Sequence, residues 1–346
     1  MKKTRNVMIT GGAGFIGSHL VKYLKEKHPD WNILVYDALT YAGDLKNLEN
    51  TGVPIVKGAI QDRKLVKRVL NDYIIDTIIH LAAESHVDNS LSNPLEFVET
   101  NVLGTVTLLQ AANEWWNSAQ FRGHGEPLFY HVSTDEVYGQ LHSTTEPPFT
   151  EYNTYDPSSP YSASKAASDH FVRAYAKSFG IPVLISHCSN NFGTHQFPEK
   201  LIPVVINKIL NNETIPVYGR GDNIRDWLWV KDHCSAIDFI IENGTIGESY
   251  NIGGNNEIRN LDLVIQICNI CDELLHRTIG HSERLIRFVK DRPGHDYRYA
   301  INSSKLQALG WKPTKDFDNQ LRETVQWYIT KFNEKLLKSE YIFIKK

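Results

Sequence analysis

The sequence predicts an α/β fold, a doubly wound parallel sheet with a smaller C-terminal lobe, and three observations lead to this prediction. Short apolar runs alternate with stretches of helical periodicity over the first half of the chain. A glycine-rich turn stands between the first apolar run and the first helical stretch. Beyond about Asn190 the alternation gives way to segments punctuated by proline and glycine. At 346 residues the chain is long enough for two lobes.

The predicted elements of the first half follow one another in strand and helix order. Apolar runs predict strands over Asn6 to Thr10, Ile33 to Tyr36, Ile55 to Val56, Thr77 to Ala82, Leu128 to Val132 and Val183 to Ser186. Helices are predicted over Phe15 to Lys27, Asn101 to Trp116 and Tyr161 to Ser178. Nearly continuous apolar strands separated by helices are typical of a parallel sheet covered by helices on both faces.

The later segments predict a different organisation. Pro198, Pro203 and Pro216 divide this part of the chain, and a turn follows at Gly219 to Asn223. We therefore predict a first domain over residues 1–190 and a second lobe over 191–333, some of whose segments return to the first domain. A charged tail is predicted over 334–346.

Charge and composition bound the class of partner. The formal net charge is −3, which favours neither nucleic acid nor an anionic membrane surface. No apolar run approaches the roughly 20 residues that span a bilayer, so we expect a cytoplasmic protein. Cys268 and Cys271 have metal-ligand spacing, but a second ligand pair at such spacing is missing and apolar residues surround them. We therefore predict no metal site.

The glycine-rich turn is the first candidate binding site. Gly11, Gly14 and Gly17 stand at every third position between a predicted strand and a predicted helix. Such a turn lets the backbone approach a pyrophosphate, and the following helix N-terminus offers free N–H donors. Asp37 lies 20 residues beyond Gly17 at the end of the next strand, where a carboxylate can hold ribose hydroxyls. That carboxylate would repel the 2′-phosphate of NADP. The sequence therefore predicts a Rossmann-like domain that binds NAD rather than NADP.

A tyrosine and a lysine form the candidate base. Tyr161 and Lys165 are four residues apart and so share one face of a helix. A nearby ammonium favours the phenolate, so we expect Lys165 to lower the pKa of Tyr161 toward neutrality. Thr134, at the end of an apolar strand, is positioned to hold a substrate hydroxyl between itself and Tyr161.

Two carboxylates follow this threonine directly. Asp135 and Glu136 are more than an alcohol dehydrogenase needs, and they indicate chemistry beyond hydride transfer. The competing interpretation is a solvated acidic loop. The neighbouring stretch Val137-Tyr138-Gly139 argues against it, because those residues are of the kind that pack.

The second lobe adds polar and aromatic candidates. Arg225 and Arg292 are each equally suited to clamp a diphosphate or to form a surface ion pair. Tyr218, Trp227 and Trp229 are equally suited to stack on a base or sugar and to pack in a core. The residues alone leave both alternatives open.

With these residues assembled, the chain resembles the extended short-chain dehydrogenase/reductase family, and within it the dTDP-glucose 4,6-dehydratases. The resemblance covers about residues 5 to 330. It rests on Thr134-Asp135-Glu136, Asn190-Asn191, the stretch Phe197 to Pro203, Arg225-Asp226-Trp227 and the stretch Asp291 to Asp296. It implies bound NAD, a nucleotide-sugar site between the lobes, and a homodimer built on the helices Asn101 to Trp116 and Tyr161 to Ser178.

The resemblance also implies roles for single residues. Tyr161 removes the proton of the sugar's C4 hydroxyl, Glu136 takes the C5 proton, and Asp135 protonates the departing C6 hydroxyl. Residues implied to contact NAD are Gly11, Gly14, Phe15, Ile16, Gly17, Asp37, Thr40, Ile60, Ala82, Ser85, Thr100, Tyr161, Lys165 and Asn191. Residues implied to hold the nucleotide sugar are Ser85, Thr134, Asn190, Glu199, Lys200, Leu201, Pro216, Tyr218, Arg225, Asn260, Arg292, His295 and Asp296.

Two positions depart from the family pattern. Ala59 stands before Ile60 where the family usually has an Asp near the adenine amino group. Contact with adenine is therefore either weaker or supplied by Asp62. Asn89 replaces a common Arg, a change that looks peripheral.

Three other functions compete with this interpretation. UDP-glucose differs from dTDP-glucose at the base by one methyl, and the pocket that would read it is not visible in the sequence. A sugar 4-epimerase or a UDP-glucuronate decarboxylase keeps Tyr161 and Lys165 but does not need Asp135 and Glu136. A non-catalytic nucleotide-sugar sensor is disfavoured by the intact Thr134, Tyr161 and Lys165.

Overall fold

The computed structural model describes the backbone of residues 4–344 and the side chains of residues 4–334. Its strands are β1 (Asn6–Thr10), β2 (Asn32–Asp37), β3 (Ile55–Lys57), β4 (Thr77–His80), β5 (Leu128–Thr134), β6 (Val183–Cys188), β7 (Asn190–Phe192), β8 (Ile215–Tyr218), β9 (Ile224–Trp229), β10 (Ser249–Ile252), β11 (Glu257–Arg259) and β12 (Ile286–Val289). Its α-helices are α1 (Phe15–Lys27), α2 (Arg63–Asp72), α3 (Val87–Ser92), α4 (Pro94–Phe97), α5 (Thr105–Trp116), α6 (Pro160–Phe179), α7 (Leu201–Leu210), α8 (Val230–Asn243), α9 (Asn260–Leu274), α10 (Ser304–Ala308) and α11 (Phe317–Ile344).

Seven parallel strands form the central sheet, in the order β10-β6-β5-β4-β1-β2-β3. This confirms the predicted α/β fold with a doubly wound parallel sheet. The order reverses direction beside β1, and the carboxyl ends of the strands on either side of that point open onto the same edge. In sheets of this kind, ligands bind in the crevice outside those ends.

Side-chain alternation in the strands builds a core on each face of the sheet. Val7 and Ile9 of β1 pack in one hydrophobic cluster with side chains of α1 and α8. Met8, between them, packs in a second cluster with side chains of α2 and α5. Successive residues of a strand point to opposite faces, so one apolar run supplies both layers.

Local sequence signals set the ends of α6, the helix that carries Tyr161. Ser159 and Ser162 form a reciprocal capping box at its start, and Pro160 occupies the first turn. The helix ends at Gly180, whose φ of +69° is the left-handed conformation that glycine adopts at little cost. Tyr161 therefore sits in the first turn, close to the sheet edge.

One predicted helix is divided in the structure. The prediction from Asn101 to Trp116 covers part of a π-helical segment, Val98–Gly104, followed by α5. The side chain of Asn101, in this segment, forms hydrogen bonds with two neighbouring segments. Its amide donates to Glu84 O at 3.0 Å and to Ser164 Oγ at 2.8 Å. These bonds tie the widened turn to α6 and to the loop after β4.

Segments after Asn190 contribute to both parts of the molecule. β7, β9 and β11 form one small sheet and β8 and β12 another, and α7, α9 and α11 enclose a separate hydrophobic cluster with them. β10, by contrast, pairs with β6 at the edge of the central sheet, and Ile237 of α8 packs in the cluster of β1.

The predicted tail over 334–346 falls largely on the last turns of α11. Side chains beyond residue 334, and the last two residues altogether, lie outside the described part of the chain. Within residues 4–344, none of the helices combines the length and the apolar character needed to cross a membrane.

Candidate active site

The glycine-rich turn lies where the sequence places it, between β1 and α1. Gly11 has a φ of +70°, and a Cβ there would lie 2.8 Å from Ala82 N. A side chain on Gly17 would collide with the carbonyl oxygen of Gly11. The N-terminus of α1 has no side-chain cap, so its backbone N–H groups remain available to an anion. The residues present therefore fit a pyrophosphate.

Asp37 ends β2 beside this turn. Its carboxylate accepts backbone hydrogen bonds from Ala13 N at 2.9 Å and Leu39 N at 2.8 Å, which fix its orientation. A buried carboxylate held in this way keeps further lone pairs for hydroxyl donors.

One cleft at the carboxyl ends of the strands brings together every residue expected to contact the cofactor. Its walls include Gly11, Gly14, Phe15, Ile16, Gly17, Asp37, Thr40, Ile60, Ala82, Ser85, Thr100, Tyr161, Lys165 and Asn191. They also include Gln61, Glu84 and Cys188, which the sequence did not single out. No motif marks these three, because only the fold brings them to the cleft.

Asp62 has a structural role near the adenine end. It is the N-cap of α2, and its carboxylate accepts a hydrogen bond from Leu65 N at 3.0 Å. Asp62 is not among the residues that line the cleft, and its contact with adenine stays a prediction. Gln61 lines the cleft instead, and its amide donates to Thr100 Oγ1 at 3.3 Å.

Thr134, Tyr161 and Lys165 converge at the end of β5. The Lys165 ammonium donates to Val132 O at 2.8 Å and is buried. Burial raises the pKa of Tyr161 well above its ordinary value, the nearby Glu136 raises it further, and a hydrogen bond with Thr134 lowers it. The expected depression toward neutrality is therefore wrong for the protein alone, since burial outweighs the hydrogen bond with Thr134.

Asp135 and Glu136 lie on a 3₁₀ turn that Thr134 caps. Asp135 is buried, and its pKa is raised well above the usual range by burial and then by Glu136 and Asp226. Glu136 is partly accessible. Burial raises its pKa, but the cations Arg225, Lys200 and Arg292 lower it. Both carboxyl groups thus have raised pKa values, and three cations oppose the rise at Glu136.

The second lobe surrounds Glu136 with cations. The Arg225 guanidinium lies 4.1 Å from the centre of the Tyr299 ring and donates to Asp296 O at 2.9 Å. It is buried, so the surface ion pair considered from the sequence is wrong for this residue. Arg292 does form an ion pair, with Asp88 at 3.2 Å, across the gap between the lobes.

The residues expected to hold the nucleotide sugar divide into two groups. Ser85, Thr134, Asn190, Glu199 and Lys200 line the cleft described above. Leu201, Pro216, Tyr218, Arg225, Asn260, Arg292, His295 and Asp296 lie in the second lobe, outside the walls of that cleft. The Asp296 carboxylate is already occupied, because it accepts hydrogen bonds from the hydroxyls of Ser158 and Tyr299.

The aromatic candidates of the second lobe have different surroundings. Trp227 packs in the buried cluster with Phe192, so it is a core residue. Tyr218 is exposed and lies edge-on to His295, with the ring centres 6.1 Å apart. Tyr218 therefore remains a candidate for contact with a base or sugar.

Buried polar atoms without a partner mark the space where a polar ligand fits. Among the described residues, Asp135 Oδ2, Asn190 Oδ1 and Asn260 Oδ1 are buried and accept no hydrogen bond. Leaving such atoms unsatisfied costs about 1–3 kcal/mol each, which a ligand rich in hydroxyls recovers.

The four cysteines are free and buried, and Cys268 and Cys271 belong to the hydrophobic cluster of the second lobe.

The sequence profile of the GDP-mannose 4,6 dehydratase family matches residues 8–324. A dTDP-glucose 4,6-dehydratase of Salmonella typhimurium is 46% identical over 335 residues, covering 93% of this chain and 92% of that protein. A probable dTDP-glucose 4,6-dehydratase of Sinorhizobium fredii is 49% identical over 328 residues, with the same coverage of 93% and 92%. The crystal structure of dTDP-glucose 4,6-dehydratase from Streptomyces venezuelae with NAD bound superposes with a TM-score of 0.84 at 41% identity, covering 94% of this chain and 97% of that one.

Proposed function

Since the chain belongs to the GDP-mannose 4,6 dehydratase family, we propose that it catalyses the NAD-dependent conversion of dTDP-glucose to dTDP-4-keto-6-deoxyglucose and water. The relatives described above support this substrate, at 46% and 49% identity over 93% of the chain. The observation that carries the proposal is the pair Asp135 and Glu136. The two carboxyl groups follow Thr134 on one turn and have different neighbours: carboxylates raise the pKa of Asp135, whereas three cations lower that of Glu136.

The glycine turn and Asp37 would hold NAD. Backbone N–H groups at the start of α1 would bind the pyrophosphate, and Asp37 would accept the hydroxyls of the adenosine ribose. NAD, when bound there, supplies the acceptor of the C4 hydride and its donor to C6. Ala82 and Cys188 would flank the nicotinamide end of the cleft.

Tyr161 would take the proton of the C4 hydroxyl. Thr134 would form a hydrogen bond with the same hydroxyl, because the Thr134 side chain lies beside Tyr161. Lys165 contributes a buried positive charge one helical turn away, and it favours the phenolate when the proton moves. Substrate that fills the cleft also brings donors to Tyr161, which opposes the effect of burial on its pKa.

Glu136 and Asp135 would then eliminate water. Once C4 is a ketone, the C5 proton is acidic, and Glu136 would take it. Three cations, Arg225, Lys200 and Arg292, oppose the effect of burial on the pKa of Glu136 and favour its carboxylate form. Asp135, whose pKa burial raises well above the usual range, would carry the proton that the leaving C6 hydroxyl needs. An acid and a base with separated pKa values are the arrangement that such a step requires. The C–O bond breaks without hydrolysis, so the enzyme is a lyase.

Arg225, Arg292 and Lys200 would bind the diphosphate of the substrate. Arginine binds phosphate oxygens in a bidentate manner, and Arg225 is buried where such a bond is strong. The base would lie toward Tyr218 and His295. Thymine and uracil differ by one methyl, worth about 1–3 kcal/mol in a pocket, so dTDP-glucose and UDP-glucose must be compared directly.

The surface supports a homodimer. Exposed apolar side chains lie along α3, α4, the π-helical segment and α6, and they are Leu91, Leu95, Val98, Leu103 and Phe171. Patches of this kind mark contact surfaces. Leu95→Glu should therefore raise the monomer fraction in sedimentation experiments. Ile279 is an exposed apolar residue elsewhere, so Ile279→Glu should leave that fraction unchanged.

Nucleotide sugars and NAD are cytoplasmic metabolites, so we place the reaction in the cytoplasm.

Separate incubation of the purified protein with dTDP-glucose and UDP-glucose tests the proposal. We expect 4-keto-6-deoxy product from dTDP-glucose, with a larger kcat/KM than for UDP-glucose. A larger kcat/KM for UDP-glucose would reassign the base. Formation of the C4 epimer without loss of water would refute the dehydratase function and favour a 4-epimerase.

A further inference from the structure

The base of the candidate site belongs to a longer stripe on one face of α6. Tyr161, Lys165, Asp169 and Arg173 stand at four-residue intervals, so their side chains are neighbours along the helix. The first two residues belong to the site described above. Asp169 is fully buried and lies one turn beyond Lys165. A fully buried carboxylate at this position needs an explanation.

Donors from β5, β6 and the segment before α6 converge on Asp169. Its Oδ2 accepts hydrogen bonds from Ser133 Oγ at 3.0 Å, Tyr155 Oη at 2.9 Å and His187 Nε2 at 3.0 Å. His131 Nε2 lies 3.1 Å from Oδ1. Burial alone would raise the pKa of Asp169, but the two imidazoles outweigh it and hold that pKa well below its usual value.

His131 does not neutralise this charge. Burial lowers the pKa of His131 to about 4, so its imidazole is neutral at ordinary pH. Two lasting cations near Asp169 are its own helix neighbours Lys165 and Arg173. Arg173 donates to Tyr155 Oη at 3.3 Å and to Ser249 Oγ at 2.8 Å, away from the cleft. Lys165 is the cation that faces the site.

Lys165 needs an anion to stay charged. Burial lowers the pKa of its ammonium, and Asp169 is the largest influence that raises it. Within the described part of the chain, its ammonium donates to an uncharged acceptor, the carbonyl of Val132, at 2.8 Å. An unpaired buried ammonium tends to lose its proton.

We propose that Asp169 is a positioning residue for the reaction: it keeps Lys165 in its ammonium form and, through Ser133, fixes the strand end that carries Thr134. The inference rests on the function proposed above. Both effects act on β5, because Lys165 bonds Val132 and Asp169 bonds Ser133, the two residues before Thr134.

The other titratable and charged groups around the stripe come from the neighbouring strands, from the segment before α6 and from α6 itself. They are His131 on β5, His187 and Cys188 on β6, His80 on β4, Tyr138, Tyr155 and Glu151 in the segment before α6, and Arg173 on α6. Burial holds the pKa of His80 well below its usual value, lowers that of His131 to about 4 and raises that of Cys188 to about 12. Burial also raises the pKa values of Tyr138 and Tyr155. We therefore assign a change in the alkaline part of the pH profile to Lys165.

Asp169→Asn tests the proposal, because it removes the charge and keeps the shape. Loss of the anion lowers the pKa of Lys165, so the ammonium loses its proton at a lower pH. We expect the alkaline limb of the kcat/KM profile to move about 1 pH unit or more toward acid. Asp169→Glu should keep the limb near its wild-type position. A uniform fall in rate with an unmoved limb would overturn the proposal.

Asp238→Asn is the matched control. Asp238 of α8 is also buried and accepts from an imidazole, His28 Nε2, at 2.6 Å, beside the C-terminal end of α1 and away from the cleft. Its loss should lower the thermal unfolding temperature, as for Asp169→Asn, and leave the pH profile unchanged.

A double-mutant cycle on thermal unfolding tests the pairing without activity. Asp169→Asn should lower the unfolding temperature less in a Lys165→Met background than in wild type, because the ammonium whose charge Asp169 offsets is gone. Equal effects would overturn the pairing. If Asp169→Asn alone does not fold, recovery of folded protein in the double variant supports the pairing, and failure of both variants assigns Asp169 a purely structural role. The coupling measured by thermal unfolding does not depend on which sugar the enzyme converts. An experiment can therefore refute the role of Asp169 without refuting the proposed function, and the reverse.

Discussion

The hydroxyl of Thr134 accepts a hydrogen bond from the backbone N–H of Glu136 at 3.3 Å and thereby caps the turn that carries both carboxylates. The same hydroxyl lies in hydrogen-bonding reach of Tyr161. One side chain therefore links the group that starts the oxidation to the pair that eliminates water. Both halves of the proposed reaction therefore depend on the position of Thr134 at the end of β5.

Thr134→Val should move the acidic limb of the pH–rate profile to higher pH. The hydrogen bond from Thr134 lowers the pKa of Tyr161, so its loss raises that pKa and the phenolate forms only at a higher pH. A shift of about one pH unit would lower the rate below the limb about tenfold. Thr134→Ser keeps the hydroxyl and should keep the limb. Identical profiles for the two variants would contradict the role of the hydroxyl.

Tyr161→Phe should remove the first oxidation step and with it the whole reaction. General-base removal typically lowers the rate by about 10²–10⁴-fold. The fold should survive, because the change removes one hydroxyl at the cleft wall. Tyr250→Phe is the control: Tyr250 is buried, and its hydroxyl accepts from Thr245 N at 2.8 Å. That variant should keep wild-type turnover, and near-normal turnover in Tyr161→Phe would mean that another group is the base.

The purified protein should retain NAD and turn over without added cofactor. The proposed reaction returns its hydride, so release of the reduced cofactor would abort the cycle. Extraction should yield roughly one NAD per chain, bound on the glycine turn and Asp37. Asp37→Ala should lower this content in protein that still folds. A protein that purifies empty and requires NADP would contradict the role given to Asp37.

The sequence was most informative where a local rule acts without help from the rest of the fold. β1 and α1 have the predicted bounds, because glycines mark the junction and apolar residues repeat at helical spacing. β5 and β6 extend two residues further than predicted, through Ser133-Thr134 and His187-Cys188. Polar residues end an apolar run in the sequence, but these four are buried, and Ser133 and His187 are hydrogen-bonded to Asp169 of α6.

Electrostatics could not be predicted from spacing. The interval between Tyr161 and Lys165 indicates a shared helix face but not the degree of burial, which decides the pKa of the phenol. Asp62 is near the adenine end in sequence, yet its carboxylate is committed to capping α2. Nothing in the sequence around Arg225 shows whether its guanidinium is exposed or buried. Each outcome depends on neighbours contributed by distant parts of the chain.

Asp135→Asn and Glu136→Gln should separate elimination from oxidation. Neither residue is needed for the oxidation at C4, so under single turnover both variants should still reduce the bound cofactor while product forms far more slowly. Glu136→Gln removes the carboxyl group around which Arg225, Lys200 and Arg292 lie, so exchange of the C5 proton with solvent deuterium should slow. Asp135→Asn keeps the shape but cannot donate a proton as an acid does, so loss of the C6 hydroxyl should slow more than C5 exchange. If both variants slow exchange equally, the elimination is concerted. Wild-type dehydration in both would show that the pair serves no step, and the epimerase function would then explain the site better.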